Sequence, residues 1–178
     1  MSDYTFTLVL DRPRRLDDQL GDALFEAGCD DAAVGEHRGT VYLEFDREAP
    51  SFLHAVLSAI GDVHSVPGAV VSHVEPDEHV TATEIADRIG RSRENVRQLA
   101  EGMRGPGGFP APVSGASGRR TRFWRWSEVA DWLERHGFAS GAAEQGRVIA
   151  AVNGALTLSR NASEGARHEI LEGVEKAS

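Results

Sequence analysis

The chain has 178 residues, 40% hydrophobic and 26% charged, which fits one or two soluble globular domains and excludes a fibrous or low-complexity protein. No run approaches the roughly 20 apolar residues of a membrane-spanning helix, and the opening Met-Ser-Asp-Tyr-Thr has no basic-then-apolar leader, so a cytoplasmic protein is expected. Its single cysteine, Cys29, excludes an internal disulfide and a cysteine-based zinc site, while the net charge of −9 argues against nucleic acid until it is divided along the chain.

Residues 1–79 read as a small α/β module. Tyr4 to Leu10 alternates Phe6, Leu8 and Leu10 against Thr5, Thr7 and Val9, a strand pattern. Leu16, Leu20, Leu24 and Ala27 recur at helical spacing, with Gly28 as the stop. Ala32–His37 and Thr40–Asp46 flank a hairpin turn at Arg38-Gly39, with Val41, Leu43 and Phe45 on one face. Ser51 opens a helix carrying Leu53, Val56, Leu57 and Ile60, and Ala69–Val74 is a last short strand. The order βαββαβ is that of the split, ferredoxin-like arrangement. Four histidines (His37, His54, His64 and His73) lie here, but without H-x-H or H-x₃-H pairing they read as scattered surface residues, and no metal or other cofactor is expected.

Glu75-Pro-Asp-Glu-His79 is a polar connector, and the next segment, 80–137, is the centre of the chain. Thr81 with Glu84 makes a capping box. Ile85, Ala86 and Ile89 share a face, and Gly90 ends the helix. Ser92 caps a second helix with Val96, Leu99 and Ala100 inside and Arg93, Glu94, Asn95, Arg97 and Gln98 outside. Two short helices joined by a tight turn form a helix-turn-helix, whose second helix enters the major groove of DNA. A Gly/Pro loop follows, ending Phe109-Pro-Ala-Pro112. Val113 then leads through a Ser/Gly tip to Arg119–Trp126, read as a two-stranded wing with Phe123 and Arg125 on one side and Trp124 and Trp126 on the other. Ser127 is expected to cap a third helix packed through Val129, Trp132 and Leu133.

After a break at Gly137–Gly141, residues 138–178 read as a tail of two amphipathic helices, Glu144–Arg160 and Ser163–Lys176, which either pack on the rest of the chain or form a homodimer seam. The expected fold class is therefore α+β: a ferredoxin-like module (1–79), a winged helix-turn-helix (80–137) and a helical tail (138–178).

The run Thr81–Leu99, the Gly-Phe-Pro-Ala-Pro loop and the Phe-Trp-Arg-Trp-Ser-Glu-Val-Ala-Asp-Trp-Leu close together resemble the winged helix-turn-helix of the MerR superfamily, especially its AlpA/excisionase-like branch. The resemblance covers about a third of the chain. It implies sequence-specific binding of double-stranded DNA, with the recognition helix in the major groove and the wing on backbone or minor groove. By the same resemblance Arg97 holds the place of a phosphate-anchoring arginine, leaving Arg93, Glu94 and Asn95 as candidate base readers.

Charge distribution agrees. Residues 1–79 carry 5 basic and 16 acidic side chains, a balance of −11, whereas 80–137 carry 10 and 7, a balance of +3. Between Arg88 and Arg125, nine arginines face only Glu94 and Glu101. The candidate DNA-binding residues are Ser92, Arg93, Glu94, Asn95 and Arg97 on the helix, and Arg119, Arg120, Arg122 and Arg125 on the wing. A solvated charged surface is the plain alternative for each. No G-x-S-x-G, H-E-x-x-H or Cys-His arrangement occurs, so catalysis is not expected. The expected role is transcription regulation, possible as a homodimer, with any small-molecule effector unknown; the alternatives are an excisionase-like architectural factor or a protein-interaction adaptor.

Overall fold

A computed structural model of the chain describes residues 1–11, 15–76, 78–114, 121–139 and 141–177. By its contacts it divides into two compact units, Met1–Glu75 with Ala151–Ser178, and Pro76–Ala150. The segment 80–137 falls inside the second unit, and the tail 138–178 is shared between both. The fold is mixed α+β, with seven helices and a four-stranded antiparallel sheet among the described residues.

The first unit runs β1 (Ser2–Leu10), α1 (Asp18–Glu26), β2 (Ala32–His37), β3 (Thr40–Ala49), α2 (Phe52–Ser65) and β4 (Val71–Glu75), with strand order β2-β3-β1-β4. Leu8 sits opposite Leu43 on one side and Val74 on the other, and all three are fully buried. Each such side chain contributes about 1.5–3 kcal/mol by leaving water. Phe6 stacks on Phe45 at 5.2 Å and meets Phe52 of α2 edge-on at 5.8 Å, which fixes that helix to the sheet. The β2–β3 hairpin turns through Arg38 and Gly39, both at positive φ (51° and 78°), the pairing a tight two-residue turn requires. Gly35 lies opposite Tyr42, whose ring occupies the place a Cβ would take, 2.4 Å from Cζ.

One buried charge follows the alternation inward. Along β3, Val41, Leu43 and Phe45 point inward, and so does Arg47. Its guanidinium donates to Asp31 (2.7 and 2.8 Å), Asp62 (2.7 Å), Ser58 Oγ (3.1 Å) and the Gly28 carbonyl (2.7 Å), tying the end of α1 to α2. Cys29 lies in the same region, and burial, then the charge of Asp62, pushes its thiol up to about 11.

The edge of the sheet at β4 is covered in an unusual way. Helix α6 (Ala142–Asn161) brings Asn153 against Val74, accepting from its N–H at 2.7 Å and donating to its carbonyl at 2.9 Å. The side-chain amide thus occupies the hydrogen-bonding places a neighbouring strand would take. Arg160, further along α6, reaches Ser72 Oγ at 3.2 Å and Asp11 at 3.7 Å. Helix α7 (Glu164–Ala177) follows, with Ile170 and Leu171 exposed.

The second unit holds β5 (His79–Val80), α3 (Ala82–Arg88), α4 (Arg93–Ala100), β6 (Trp124–Arg125) and α5 (Trp126–Arg135) around a core of Val80, Ile85, Val96, Leu99, Trp124, Trp132 and Leu133. The capping box is present: the Thr81 hydroxyl accepts from the Glu84 N–H while the Glu84 carboxylate accepts from the Thr81 N–H. Helix α3 closes with Gly90 N–H on Asp87 O and Arg91 N–H on Ala86 O, and Gly90 takes φ of 61°. This paired closure turns the chain sharply into α4, which is how the sequence places two short helices side by side.

Two local expectations need correction. Ser127 does not cap α5. The helix begins two residues earlier, at Trp126 behind Arg125, and Glu78 holds its start: Trp126 N–H donates to Glu78 O at 2.6 Å and Ser127 Oγ to Glu78 Oε1 at 2.7 Å. The wing is also not a simple two-stranded ribbon. Val113 N–H donates to Phe123 O and Phe123 N–H to Ser114 O, but β6 itself pairs with β5, His79 opposite Arg125 and Val80 opposite Trp124. A strand from the connector supplies hydrogen bonds that the wing's first arm was expected to give.

Candidate nucleic-acid interface

Helix α4 is set by its ends. Ser92 accepts from the Asn95 N–H at 3.2 Å, and Gly102 and Met103 close the far end on Leu99 and Gln98. Val96 and Leu99 anchor the inner face, so Arg93, Glu94 and Arg97 are left outside and exposed, with Asn95 half-buried. The loop after α4 is pinned by two indoles, Trp132 Nε1 donating to Gly107 O (3.1 Å) and Trp124 Nε1 to Pro110 O (3.0 Å). Phe109 packs edge-on against Trp132 at 5.0 Å. These contacts carry the chain back so that residues 121–125 run beside α4.

The result is a cleft of about 460 Å³, lined by Arg93, Arg97 and Ala100 of α4, by Thr121, Arg122 and Trp124, and by Thr81–Thr83 at the start of α3. It brings together three of the expected site residues: Arg93, Arg97 and Arg122. Ser92, Glu94 and Asn95 are on the same helix but do not line it, and Arg125 is exposed nearby in sequence, 3.6 Å from Glu128. Arg119 and Arg120 lie outside the described residues.

The arginines are not bare cations. Arg97 donates through Nε to Glu94 Oε2 (2.8 Å) and through NH2 to Glu94 Oε1 (2.6 Å), and its other terminal nitrogen donates to Glu101. Glu101 extends its second oxygen to Arg122, 3.6 Å away. The Arg97 hydrogen bonds, with a further one from Gln98, push the Glu94 carboxyl down to about 2. Glu94, and then Glu101, hold the Arg97 proton more firmly than usual. The site residue that sequence reading missed is therefore Glu101. Its i,i+4 relation to Arg97 was visible, but the reach to Arg122 depends on how the loop returns.

An arginine was also passed over. Arg88, at the end of α3, lies with its guanidinium carbon 4.5 Å from the centre of the Trp126 ring, a cation–π contact that holds α3 against α5. Of the four histidines considered for metal, His54 meets Ser51 Oγ through Nδ1 at 2.8 Å and His64 Nε2 accepts from Val71 N–H at 3.2 Å, so both serve local structure. Among the described residues no group of three or more His, Cys, Asp or Glu side chains is placed to hold a metal ion, and no helix is long and apolar enough to cross a membrane. Comparison of the chain with protein-family models, with curated proteins and with solved structures finds no match.

Proposed function

We propose that residues 80–137, within the unit Pro76–Ala150, are a winged helix-turn-helix that binds duplex DNA, and that the chain is a sequence-specific transcription regulator. The observation that carries this reading is the convergence of Arg93 and Arg97 from α4 with Arg122 from the segment returning to β6 on one cleft. The capped, turn-linked pair α3–α4 and the resemblance to the MerR superfamily's AlpA/excisionase-like branch support it. The strand order β2-β3-β1-β4 supports reading residues 1–79 as a ferredoxin-like module.

Pairing with carboxylates does not defeat the reading, and magnitudes say why. An exposed ion pair contributes about 0.2–1 kcal/mol. A duplex presents a dense line of phosphates, and each contact releases condensed counterions, so several contacts together outweigh the local pairs. In this assignment Arg97 anchors phosphate and Asn95 reads a base edge, with Arg93 beside it and Arg122 on the backbone.

Selection of bound duplexes from a random library at stated salt tests the proposal: enrichment of one motif is expected, and no enrichment above input would remove it. Arg97→Ala should weaken binding to every sequence and flatten the salt dependence by about one unit. Asn95→Ala should relax preference at a single base pair, by roughly 1–3 kcal/mol of discrimination. Identical behaviour of the two variants would overturn the division of roles.

A further inference from the structure

Glu101 is placed to do something neither of its neighbours does. Glu94 engages a single guanidinium, on its own helix. Glu101 engages two, one on α4 and one on the segment returning to β6, with one carboxylate oxygen on each. Its side chain is 28% exposed, against 55% for Glu94, so it is the more enclosed of the two carboxylates. A carboxylate that engages two of the three arginines lining the cleft occupies the electrostatic place of an incoming phosphate.

We infer that Glu101 is an internal competitor for phosphate, a latch that ties Arg97 to Arg122 and must release both before an anion can take them. The inference rests on the duplex-binding reading above and concerns how that site is regulated. Its consequence is a threshold. Every anion that takes Arg97 and Arg122 must first displace the same carboxylate, so the latch lowers the affinity of each such ligand by a common factor. Glu101 thereby sets how readily the two arginines are occupied, not which sequence occupies them.

The test uses the full chain with two probes: a fluorescein-labelled duplex of random sequence, across a KCl series, and inorganic pyrophosphate, followed by the amide resonances of Arg97 and Arg122. Glu101→Gln retains an oxygen that can accept from Arg97, so helix α4 should persist, which circular dichroism checks. Glu144→Gln removes the same charge from an exposed position outside the cleft. Glu101→Gln is expected to tighten the random duplex about three- to tenfold, the scale of one or two exposed ion pairs, and to tighten pyrophosphate in the same direction. Glu144→Gln should give less than half that gain, and the Glu101→Gln gain should shrink in an Arg122→Gln background. Equal gains from the Glu101 and Glu144 variants would reduce the effect to net charge and overturn the latch. Weaker binding by Glu101→Gln would overturn it too, since the carboxylate would then be organising the arginines for the ligand. If Glu101→Gln tightens pyrophosphate but no form of the protein binds duplex, the latch stands and the DNA reading falls. If neither probe binds any form, the latch falls as well.

Discussion

Each unit contains an arginine gripped by two carboxylates, and the two sites differ chiefly in their access to water. Arg47 is held by Asp31 and Asp62 with its side chain 9% exposed, while Arg97 is held by Glu94 and Glu101 with its side chain 46% exposed. Hydrogen bonds to carboxylates hold both guanidinium protons more firmly than usual. Yet the inner one also satisfies a backbone carbonyl and a serine hydroxyl, has Phe45 beneath it at 4.8 Å, and joins elements far apart in sequence. The outer one joins neighbours on a single helix. Identical chemistry therefore serves cohesion where water is excluded, and leaves a cation available for exchange where water is present.

The largest effect that would break this contrast is on stability. Arg47→Ala strands Asp31 and Asp62 and leaves the Gly28 carbonyl without its donor. Removing one partner of a buried ion pair costs about 3–5 kcal/mol. Asp31 and Asp62 remain 30% and 33% exposed and regain some water, which brings the expected loss to about 2–4 kcal/mol. Arg97→Gln, in contrast, should change stability by less than about 0.5 kcal/mol, as surface substitutions usually do. Hydrogen exchange at the amides of Leu43 and Phe45 for the first variant, and of Val96 and Leu99 for the second, reads each site locally. Comparable losses at both would show that exposure is not what separates them.

How much of this was readable in the sequence follows from the same contrast. Alternation along Phe6-Leu8-Leu10 and Val41-Leu43-Phe45 gave the inward face of the sheet, because a residue's side in a strand is set by parity alone. The helix ends were equally legible: Gly28, Gly90 and Gly137 all sit at positive φ after a helix, where a Cβ is strained. Arg47 was not recognised, although it continues the inward parity of β3, since an arginine reads as surface unless its partners are known. Asp31 and Asp62 become its partners only after folding. The strand pair β5–β6 is two residues long on each side, too short to leave a pattern. The same pairing brings Glu78 to the start of α5, which is Trp126 behind Arg125 and not the residue after Ser127. The site was half legible for a similar reason. Arg93 and Arg97 follow from helical spacing, whereas the meeting of Arg97, Glu101 and Arg122 required the loop that Trp124 and Trp132 hold in place.

The smallest effect, and the sharpest on the outer site, is its response to acid and salt. Glu94 titrates at about 2 against an ordinary 4.5, because its hydrogen bonds from Arg97, and secondarily from Gln98, favour the ionised form. A carboxyl whose folded pKa is depressed contributes fully above its unfolded value and loses that contribution as pH falls through the folded one. The stability that the Glu94–Arg97 grip contributes should therefore be complete above about 4.5 and fall away as pH drops to about 2, where the folded carboxyl itself takes up its proton and the grip releases. Carboxyl carbon chemical shifts across this range follow the release directly, and Arg97→Gln should return the Glu94 midpoint toward 4.5. Raising salt to about 1 M shortens the screening length to about 3 Å and should move the midpoint the same way. The hydrogen-bonded cluster around Arg47, largely shielded from solvent ions, should hold its amide protection across the same salt range. A Glu94 midpoint that ignores both salt and Arg97→Gln would mean that its depression does not come from this arginine, and the parallel between the two sites would end there.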